Sequence, residues 1–465
     1  MYLKKLLFVL LVLLVSCSGM KTEKKTGSNG DGLGNLSLNL KVKKVTLDNG
    51  LRVLVYEDHR LPVVSYYTFF DVGGRYEEKG VTGATHFLEH MMFKGSKNFK
   101  QGVFDSAIEA SGGHTNAYTT FDSTVYYDSI SKSLLPDLIK MEADRLANLA
   151  IEPGSFEKER KVVFEERKMR YENNPMGKLY LKMMQAVFKG TPYGLSVIGS
   201  NEDLKALTRE NLYKFYKKYY TPNNAIVLVA GDVDSDDVIN KISKHYGDIP
   251  KSLTIKEEKK KLDTAERFAF KAKFGQTYKI NGTSPVPVFM FAYKGKPTGT
   301  RESQVMDLLG AIIGSGESSY LYQRYVNGKR PRLSRVGASN RTMRNNGVFF
   351  LHGTLLKKTN LRRFKKELFK DRKKICGKAV TDRALSKAKN QFLLGYYKAI
   401  QTNSGVASFL GSNENFMGSY DFYKQELAVY DQITAEEVRS ACKKIFSSDE
   451  HIFISLWDKH PSKKK

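Results

Sequence analysis

Two histidines and one glutamate lie close enough in the sequence to form a hydrolytic metal site. His86 and His90 are four residues apart, and Glu89 follows His86 by three. On a helix the three side chains leave the same side, so both imidazoles can reach one tetrahedral zinc ion. Glu89 would then take a proton from a water at the metal without being a ligand itself. Two surface histidines on a helix would show the same short pattern.

A third ligand is predicted from a second helical segment, residues 156–169, which carries two adjacent glutamates. Glu165 shares its side of the helix with three lysines, which is typical of a solvated, ion-paired surface. Glu166 points away from these lysines, and an inward carboxylate is costly unless it is paired or binds a metal. We therefore predict Glu166 as the ligand and Glu159 as a second carboxylate of the site, although a salt bridge would also explain Glu159. The apolar residues expected to pack on the Glu166 side are Val162, Val163 and Met169.

The elements that must position these residues occur twice in the chain. Thr208 and Glu210 open an amphipathic helix pattern, and Thr434 and Glu436 repeat it near the end of the sequence. A short β-rich run follows each helix, as expected of a duplicated unit. We predict an α+β fold of two tandem homologous domains, each a mixed or antiparallel sheet packed with helices. The predicted bounds are 40–250 and 268–465, with a charged linker at 251–267.

The first residues are typical of an export signal. Two lysines precede an apolar run of about ten residues, which is too short to span a bilayer. We predict a signal peptide at residues 1–16, lipidation of Cys17 and a flexible tether over 17–39. A chance cysteine after an ordinary signal is the alternative. The expected location is the bacterial cell envelope, on the periplasmic side or the surface, with a lipid anchor in the membrane.

Composition limits the classes of protein to which the chain can belong. Its 465 residues include 76 Lys+Arg and 49 Asp+Glu, which gives a formal charge of +27. With 41% hydrophobic residues it can form sizeable cores, so general disorder and a multi-span membrane protein are excluded. The basic residues lie in short, scattered clusters, so we expect no nucleic-acid binding. Cys376 and Cys442 could pair or stay free, and the sequence leaves both open.

Three segments together resemble a known family, the inverted-zincin metallopeptidases with the H-x-x-E-H signature. They are residues 83–96 around the histidines, residues 112–126 with the Gly-Gly-His-Thr-Asn-Ala stretch, and residues 157–170 with the distant glutamate. The family includes pitrilysin, insulin-degrading enzyme and the mitochondrial processing peptidase. The resemblance covers nearly the whole mature chain and is closest to the short two-domain members.

The resemblance implies a role for individual residues in the first domain. His86, His90 and Glu166 would bind one zinc ion per chain, Glu89 would be the general base, and Glu159 matches an accessory acidic position. The residues implied to lie along an edge strand that binds an extended peptide are Gly113, Asn116 and Ala117. No metal site is implied in the second domain, because residues 306–310, which match the histidine segment, contain no His or Glu.

The resemblance also implies that residues from the second half of a chain contact the substrate. Family members bring an Arg and a Tyr to the substrate, and Arg324 could be the Arg. Where the Tyr is expected, this chain has Pro331, Arg332 and Leu333. Because one two-domain chain would cover half of the family's substrate chamber, we expect a homodimer or a heterodimer with a sister chain.

The sequence therefore predicts a zinc-dependent endopeptidase that cleaves extended, unstructured peptides, with Glu89 acting on a zinc-activated water. A non-catalytic scaffold or assembly subunit of the same family is the first alternative, favoured by the missing Tyr. A basic, surface-tethered binding lipoprotein without metal is the second.

Overall fold

A computed structural model describes residues 40–282, 284–447 and 449–457. The predicted signal peptide, Cys17 and the tether lie outside these residues. Within the described ranges, the helices lack the combination of length and apolar character that crossing a membrane requires.

The first half of the chain forms a six-stranded sheet. Its order is β1-β2-β6-β3-β5-β4. Only the β2–β6 pair is parallel, and the other neighbours are antiparallel. The strands are β1 (Val42–Thr46), β2 (Arg52–Glu57), β3 (Val63–Phe70), β4 (His114–Thr119), β5 (Thr124–Ser131) and β6 (Ala225–Gly231).

The second half repeats this topology with five strands, in the order β7-β11-β8-β10-β9. The β7–β11 pair is parallel and corresponds to β2–β6, while the remaining pairs are antiparallel. The predicted α+β class with two homologous sheet-containing domains is confirmed. The strands are β7 (Thr277–Ile280), β8 (Val288–Lys294), β9 (Leu333–Thr342), β10 (Gly347–Leu355) and β11 (Ile452–Leu456).

Helices from both halves surround the two sheets in the described part of the chain. Those before the second sheet are α1 (Ala84–Met91), α2 (Val103–Ala110), α3 (Leu135–Asn148), α4 (Pro153–Arg167), α5 (Pro175–Val187), α6 (Asn201–Ala206), α7 (Arg209–Tyr219), α8 (Ser235–Tyr246), α9 (Ile255–Leu262) and α10 (Ala265–Phe268). Those of the second half are α11 (Arg301–Gly314), α12 (Tyr320–Tyr325), α13 (Leu361–Ala379), α14 (Asp382–Ala399), α15 (Asn403–Met417), α16 (Tyr423–Gln432) and α17 (Ala435–Ser447).

The two halves exchange one helix each. Helix α5, from the first half, packs on β8 and β11 of the second sheet, while α15 packs on β3 and β6 of the first. Leu410 of α15 is fully buried against β-strand residues such as Phe69. In the same way, Met183 of α5 is buried beside Met290 of β8. Each sheet therefore depends on the other half to cover one of its faces.

The segment predicted as a linker is folded into α9 and α10 and tied to both halves. Lys259 of α9 pairs with Asp71, which follows β3. Arg344, from the turn between β9 and β10, reaches the same carboxylate with 2.9 Å between its Nη2 and Oδ1. Burial alone would raise the pKa of Asp71, but Lys259, Arg344 and Arg75 outweigh it and hold that pKa below its usual value.

The two cysteines whose state the sequence left open form a disulfide. Cys376 of α13 and Cys442 of α17 have Cα atoms 5.5 Å apart and are both buried in the core of the second half. The bond therefore joins two helices of the second domain.

Candidate metal centre

Helix α1 holds the two histidines and is fixed firmly at its start. Gly83 precedes it with φ +88°, and a side chain there would collide with the backbone of Gly199 at 2.8 Å. The buried carboxylate of Glu77 accepts the backbone N–H groups of Gly83 and Thr85 at 2.8 and 2.7 Å. These bonds satisfy donors that a helix start leaves free, so they fix the position of α1.

Helix α4 packs on α1 and brings Glu166 to the histidines. The Oε2 atom of Glu166 lies 3.4 Å from Nε2 of His86 and 3.2 Å from Nε2 of His90. Of the two adjacent glutamates, Glu166 has a side chain 18% exposed, whereas that of Glu165 is 68% exposed. The chain thus brings together the three predicted ligands and turns Glu165 to solvent.

The packing expected around Glu166 is partly wrong. Val163 is buried, but Val162 is 50% exposed and Met169 is 69% exposed. The side of α4 that faces α1 is a narrow line of Phe156, Glu159, Val163 and Glu166, and the ring centre of Phe156 lies 4.9 Å from that of Phe87 in α1. The two exposed residues lie beside this line, so they do not reach the interface.

The donor set fits zinc. Two donors bound at about 2.0–2.1 Å to one tetrahedral ion are separated by about 3.3 Å, which agrees with the two distances to Glu166. Its Oε2 atom is buried without a hydrogen-bond partner, although a buried carboxylate normally has one. Two imidazoles and one carboxylate with all three donor atoms inside 4.8 Å of one another are a typical catalytic zinc set.

Electrostatics couple the three side chains. Burial alone would lower the pKa of His90, but the carboxylates of Glu159 and Glu166 outweigh it and raise that pKa to about 9. Burial would likewise raise the pKa of Glu166, yet the two imidazoles hold it well below its usual range. The carboxylate is thus charged and favours a cation between the rings.

Glu159 is placed behind His90. Its Oε1 atom lies 2.8 Å from Nδ1 of His90, and Lys94 binds its other oxygen at 2.8 Å. The imidazole is therefore held from the side opposite to Glu166, with Nε2 directed at the cluster. Glu159 thus contacts a histidine of the site and also forms a salt bridge, with Lys94, so both roles considered for it are present in the structure.

Glu89 lies beside the edge strand. Its side chain is mostly buried, and its Oε2 atom accepts a hydrogen bond from Thr119 of β4. β4 is the last strand in its sheet and pairs only with β5 among the described residues. Asn116 and Ala117 lie on β4, and Gly113 directly precedes it, where a side chain would meet the carbonyl oxygen of Ser129 at 2.3 Å.

Residues from both halves line a cavity of about 90 Å³ that includes His86. Its second-half residue is Arg341 of β9, whose guanidinium lies 5.5 Å from the ring centre of Tyr180. Arg324, the arginine expected from the resemblance, is on α12 and pairs with Asp371 at 3.1 Å. None of the ion pairs described for Arg324 reaches the first half.

Sequence reasoning did not find Lys94, Thr119, Arg170 and Arg341. Arg170 follows α4 in a π-helical turn, and its Nε lies 2.9 Å from Oε1 of Glu166. Such a turn is often found at functional sites. Only Arg170 carried a usable signal, because it stands one helical turn after Glu166, where side chains of a helix meet.

Two family models match the chain. The model described as insulinase, peptidase family M16, matches residues 52–201, and the one described as the peptidase M16 inactive domain matches residues 206–392. The first match contains the His-His-Glu cluster, and the second lies wholly outside it.

Relatives and a solved structure agree with these models. The chain is 29% identical to the zinc protease PqqE of Helicobacter pylori over 83% of this chain and 87% of that protein. It is 31% identical to a probable mitochondrial-processing peptidase subunit beta of Schizosaccharomyces pombe over 46% of each. A crystal structure described as a protease from Helicobacter pylori has a TM-score of 0.81 at 26% identity, over 90% of this chain and 99% of that one.

Proposed function

Because the chain is a two-domain member of peptidase family M16, as its motifs predicted, we propose that it is a zinc-dependent endopeptidase of extended, unstructured peptides. The observation that carries the proposal is the convergence of His86, His90 and Glu166 next to a buried Glu89. Family membership alone would leave hydrolysis and a scaffold role equally open.

Zinc held by His86, His90 and Glu166 would supply a Lewis acid that makes water more acidic and a carbonyl more electrophilic. Side chains of the protein carry out the remaining steps. Glu89 has one oxygen occupied by Thr119, which leaves the other to take a proton and return it to the leaving amine. Glu159 keeps the ring of His90 oriented throughout.

The edge of β4 is the place where the peptide would bind. A strand added to this edge would form main-chain hydrogen bonds and lie beside Glu89, because Thr119 of the same strand touches it. Only a peptide that can adopt an extended form can pair in this way, which supports unstructured peptides as substrates.

A peptide-library assay of the purified zinc-loaded chain tests the proposal. We expect cleavage inside unstructured peptides and a loss of at least about 100-fold in kcat for Glu89→Gln. Glu165→Gln, on the exposed side of α4, is the matched control and should keep full activity. A Glu89→Gln variant as active as the wild type would contradict the proposal.

Metal analysis tests the ligand set separately. About one zinc ion per chain should co-purify, and His86→Ala should lose it. His59→Ala is the control, because His59 is exposed and pairs with Asp232 at 2.7 Å, away from the cluster. A metal-free wild-type chain would favour the tethered binding lipoprotein.

A non-catalytic scaffold subunit is the second candidate. It is favoured by the absence of a Tyr at residues 331–333, where the family resemblance places one. The name of the inactive-domain model adds no weight, because residues 206–392 do not include the ligands. A chain that binds zinc but cleaves nothing, alone or with a sister chain, would establish this role.

We also propose that the chain works as a homodimer or as a heterodimer with a sister two-domain chain. Arg324 is engaged within its own half, and residues 331–333 contain no Tyr, so a partner would have to supply the missing Tyr. Activity of the isolated chain should rise when the sister chain is added. No change in activity, together with a monomer in solution, would contradict this.

Export and lipid anchoring at Cys17 are proposed from the sequence. The disulfide between Cys376 and Cys442 supports export, because such bonds persist in oxidising compartments. We expect Cys17→Ser to release the chain from the membrane fraction of the producing cell. Unchanged membrane association of that variant would contradict the anchor.

A further inference from the structure

The second half contains a cavity at the position that corresponds to the metal centre. Helices α11 and α14 pack on each other as α1 and α4 do. Glu152 caps the N-terminus of α4, and Thr381 caps the N-terminus of α14. Gly395 follows Thr381 by as many residues as Glu166 follows Glu152, so the two residues occupy the same position in their helices. The duplicated unit thus has a glycine where the first half has its carboxylate ligand.

Gly395 is exposed on α14 and faces open space. A Cβ atom built on Gly395 meets no other atom within 4 Å. The cavity there has a volume of about 580 Å³, which lies within the range of small-molecule sites, about 300–1,000 Å³. It is far larger than the 90 Å³ cavity beside His86.

Four aromatic side chains line the cavity. Phe392 and Tyr396 come from α14, Phe409 from α15 and Tyr430 from α16. The faces of such rings attract cations as well as apolar groups. Leu394 and Tyr397 on α14 are 52% and 44% exposed, so the same helix also presents apolar surface to the outside.

Glu426 is the one ionisable carboxyl in the described lining, which contains no lysine, arginine or histidine. Tyr396 donates its hydroxyl to Oε2 of Glu426. A second carboxyl, Asp307, lies behind the wall, where Tyr430 donates to it at 3.0 Å. Burial raises the pKa of Glu426, because no cationic side chain of the lining offsets its charge.

We propose that this cavity binds an organic cation with an apolar body, its ammonium or guanidinium group placed against Glu426 and its body between the aromatic rings. A ligand of this class supplies the positive charge that the cavity lacks and fills its apolar volume. The proposal does not depend on the hydrolytic function, because none of these residues belongs to the metal centre.

Binding of simple probes tests the proposal on the full mature chain. Titration calorimetry with phenethylammonium should show saturable binding, and the neutral isostere 2-phenylethanol should bind at least about tenfold more weakly. A blocked Phe-Lys-Phe peptide forms the second arm. Binding of the free amine points to a small metabolite-like cation, and tighter binding of the peptide points to a basic side chain of a protein.

Two substitutions locate the binding. Glu426→Gln should weaken phenethylammonium binding at least about tenfold, and Gly395→Leu should abolish it by filling the cavity. Their controls are Glu302→Gln, an exposed glutamate of α11, and Gly377→Leu, a helical glycine that also has open space around its Cβ position. Thermal unfolding checks that each variant is folded.

Several results would overturn the proposal. They are no saturable binding of either cation, equal binding of the neutral isostere, or unchanged binding in both Glu426→Gln and Gly395→Leu. The titration is repeated with Glu89→Gln and with the metal chelated. Binding should be unchanged there, which separates this site from any failure of the hydrolytic assignment.

Discussion

At the proposed metal centre, the orientation of a single imidazole affects how tightly zinc would bind. His90 is held between Glu159 at Nδ1 and Glu166 at Nε2. Outer partners of this kind commonly contribute a factor of about 10–100 in metal affinity. We therefore expect Glu159→Gln to weaken zinc binding by about that factor while leaving all three ligands in place. Competition with a fluorescent chelator measures it.

The control for that experiment is on the same helix. Glu157 is 63% exposed and pairs with Arg160 on the outer surface, so Glu157→Gln removes a carboxylate of α4 without touching His90. Equal zinc affinities of the Glu159 and Glu157 variants would show that the contact to Nδ1 does not position the ring.

For individual residues, the sequence could predict which side of its own helix a side chain occupies, but not the contacts that depend on how separate elements pack. Adjacent glutamates on a helix point about 100° apart, so the lysines around Glu165 left Glu166 as the inward side chain. Arg341 could not be predicted, because its position beside His86 depends on how the two halves pack. Thr119 reaches Glu89 only once β4 lies along α1.

Among the elements, the disulfide joins α13 and α17, and its cysteines have a sequence separation of 66. Closing a loop of this length stabilises the folded state by about 4 kcal/mol on the chain-entropy estimate, and measured values are often lower. We expect a Cys376→Ser, Cys442→Ser double variant to lose about 2–4 kcal/mol in urea unfolding. Reductant should destabilise the wild type similarly and leave the double variant unchanged, and any other pattern would contradict the bond.

Helix α11 carries a buried carboxyl that makes stability depend on pH. Burial raises the pKa of Asp307 to about 7, despite hydrogen bonds from Asn340 and Tyr430. The pKa of Asp307 in the unfolded chain is near 4, so between about pH 4 and pH 7 the folded state binds more protons than the unfolded state. The stabilisation that Asp307 contributes therefore falls as the pH rises and is fully lost above about pH 7.

A variant isolates this effect from that of other groups. Going from pH 5 to pH 8, the wild type should lose about 2–3 kcal/mol relative to Asp307→Asn, which cannot titrate. Urea unfolding of both proteins at the two pH values measures the difference. Parallel pH dependence of wild type and variant would show that Asp307 is ionised in the folded protein at both pH values.

The segment 251–267 shows what composition cannot reveal about an element. Its lysines and glutamates are typical of a solvated linker, yet Lys259 is mostly buried and shares the carboxylate of Asp71 with Arg344. Charge counts cannot reveal such a role, because Asp71 and Arg344 are both distant from Lys259 in the sequence, one on each side of it. The duplication could be predicted from the sequence, because the helix-capping residues and the β-rich segments of the first half recur in the second half.

In the whole molecule, the exchange of α5 and α15 makes each domain incomplete alone. No local pattern predicts it, because the amphipathic face of α15 would suit either sheet equally well. The core of either half therefore depends on a helix that the other half contributes.

We expect this exchange to make the chain unfold as one unit. Leu410→Ala in α15 creates a cavity against the first sheet and should cost about 2–5 kcal/mol. Although Leu410 belongs to the second half, hydrogen-exchange protection should fall together in β6 and β11. Leu253→Ala is the control, since Leu253 is 87% exposed. Loss of protection confined to β11 would show that the halves unfold separately and that α15 does not hold the first sheet.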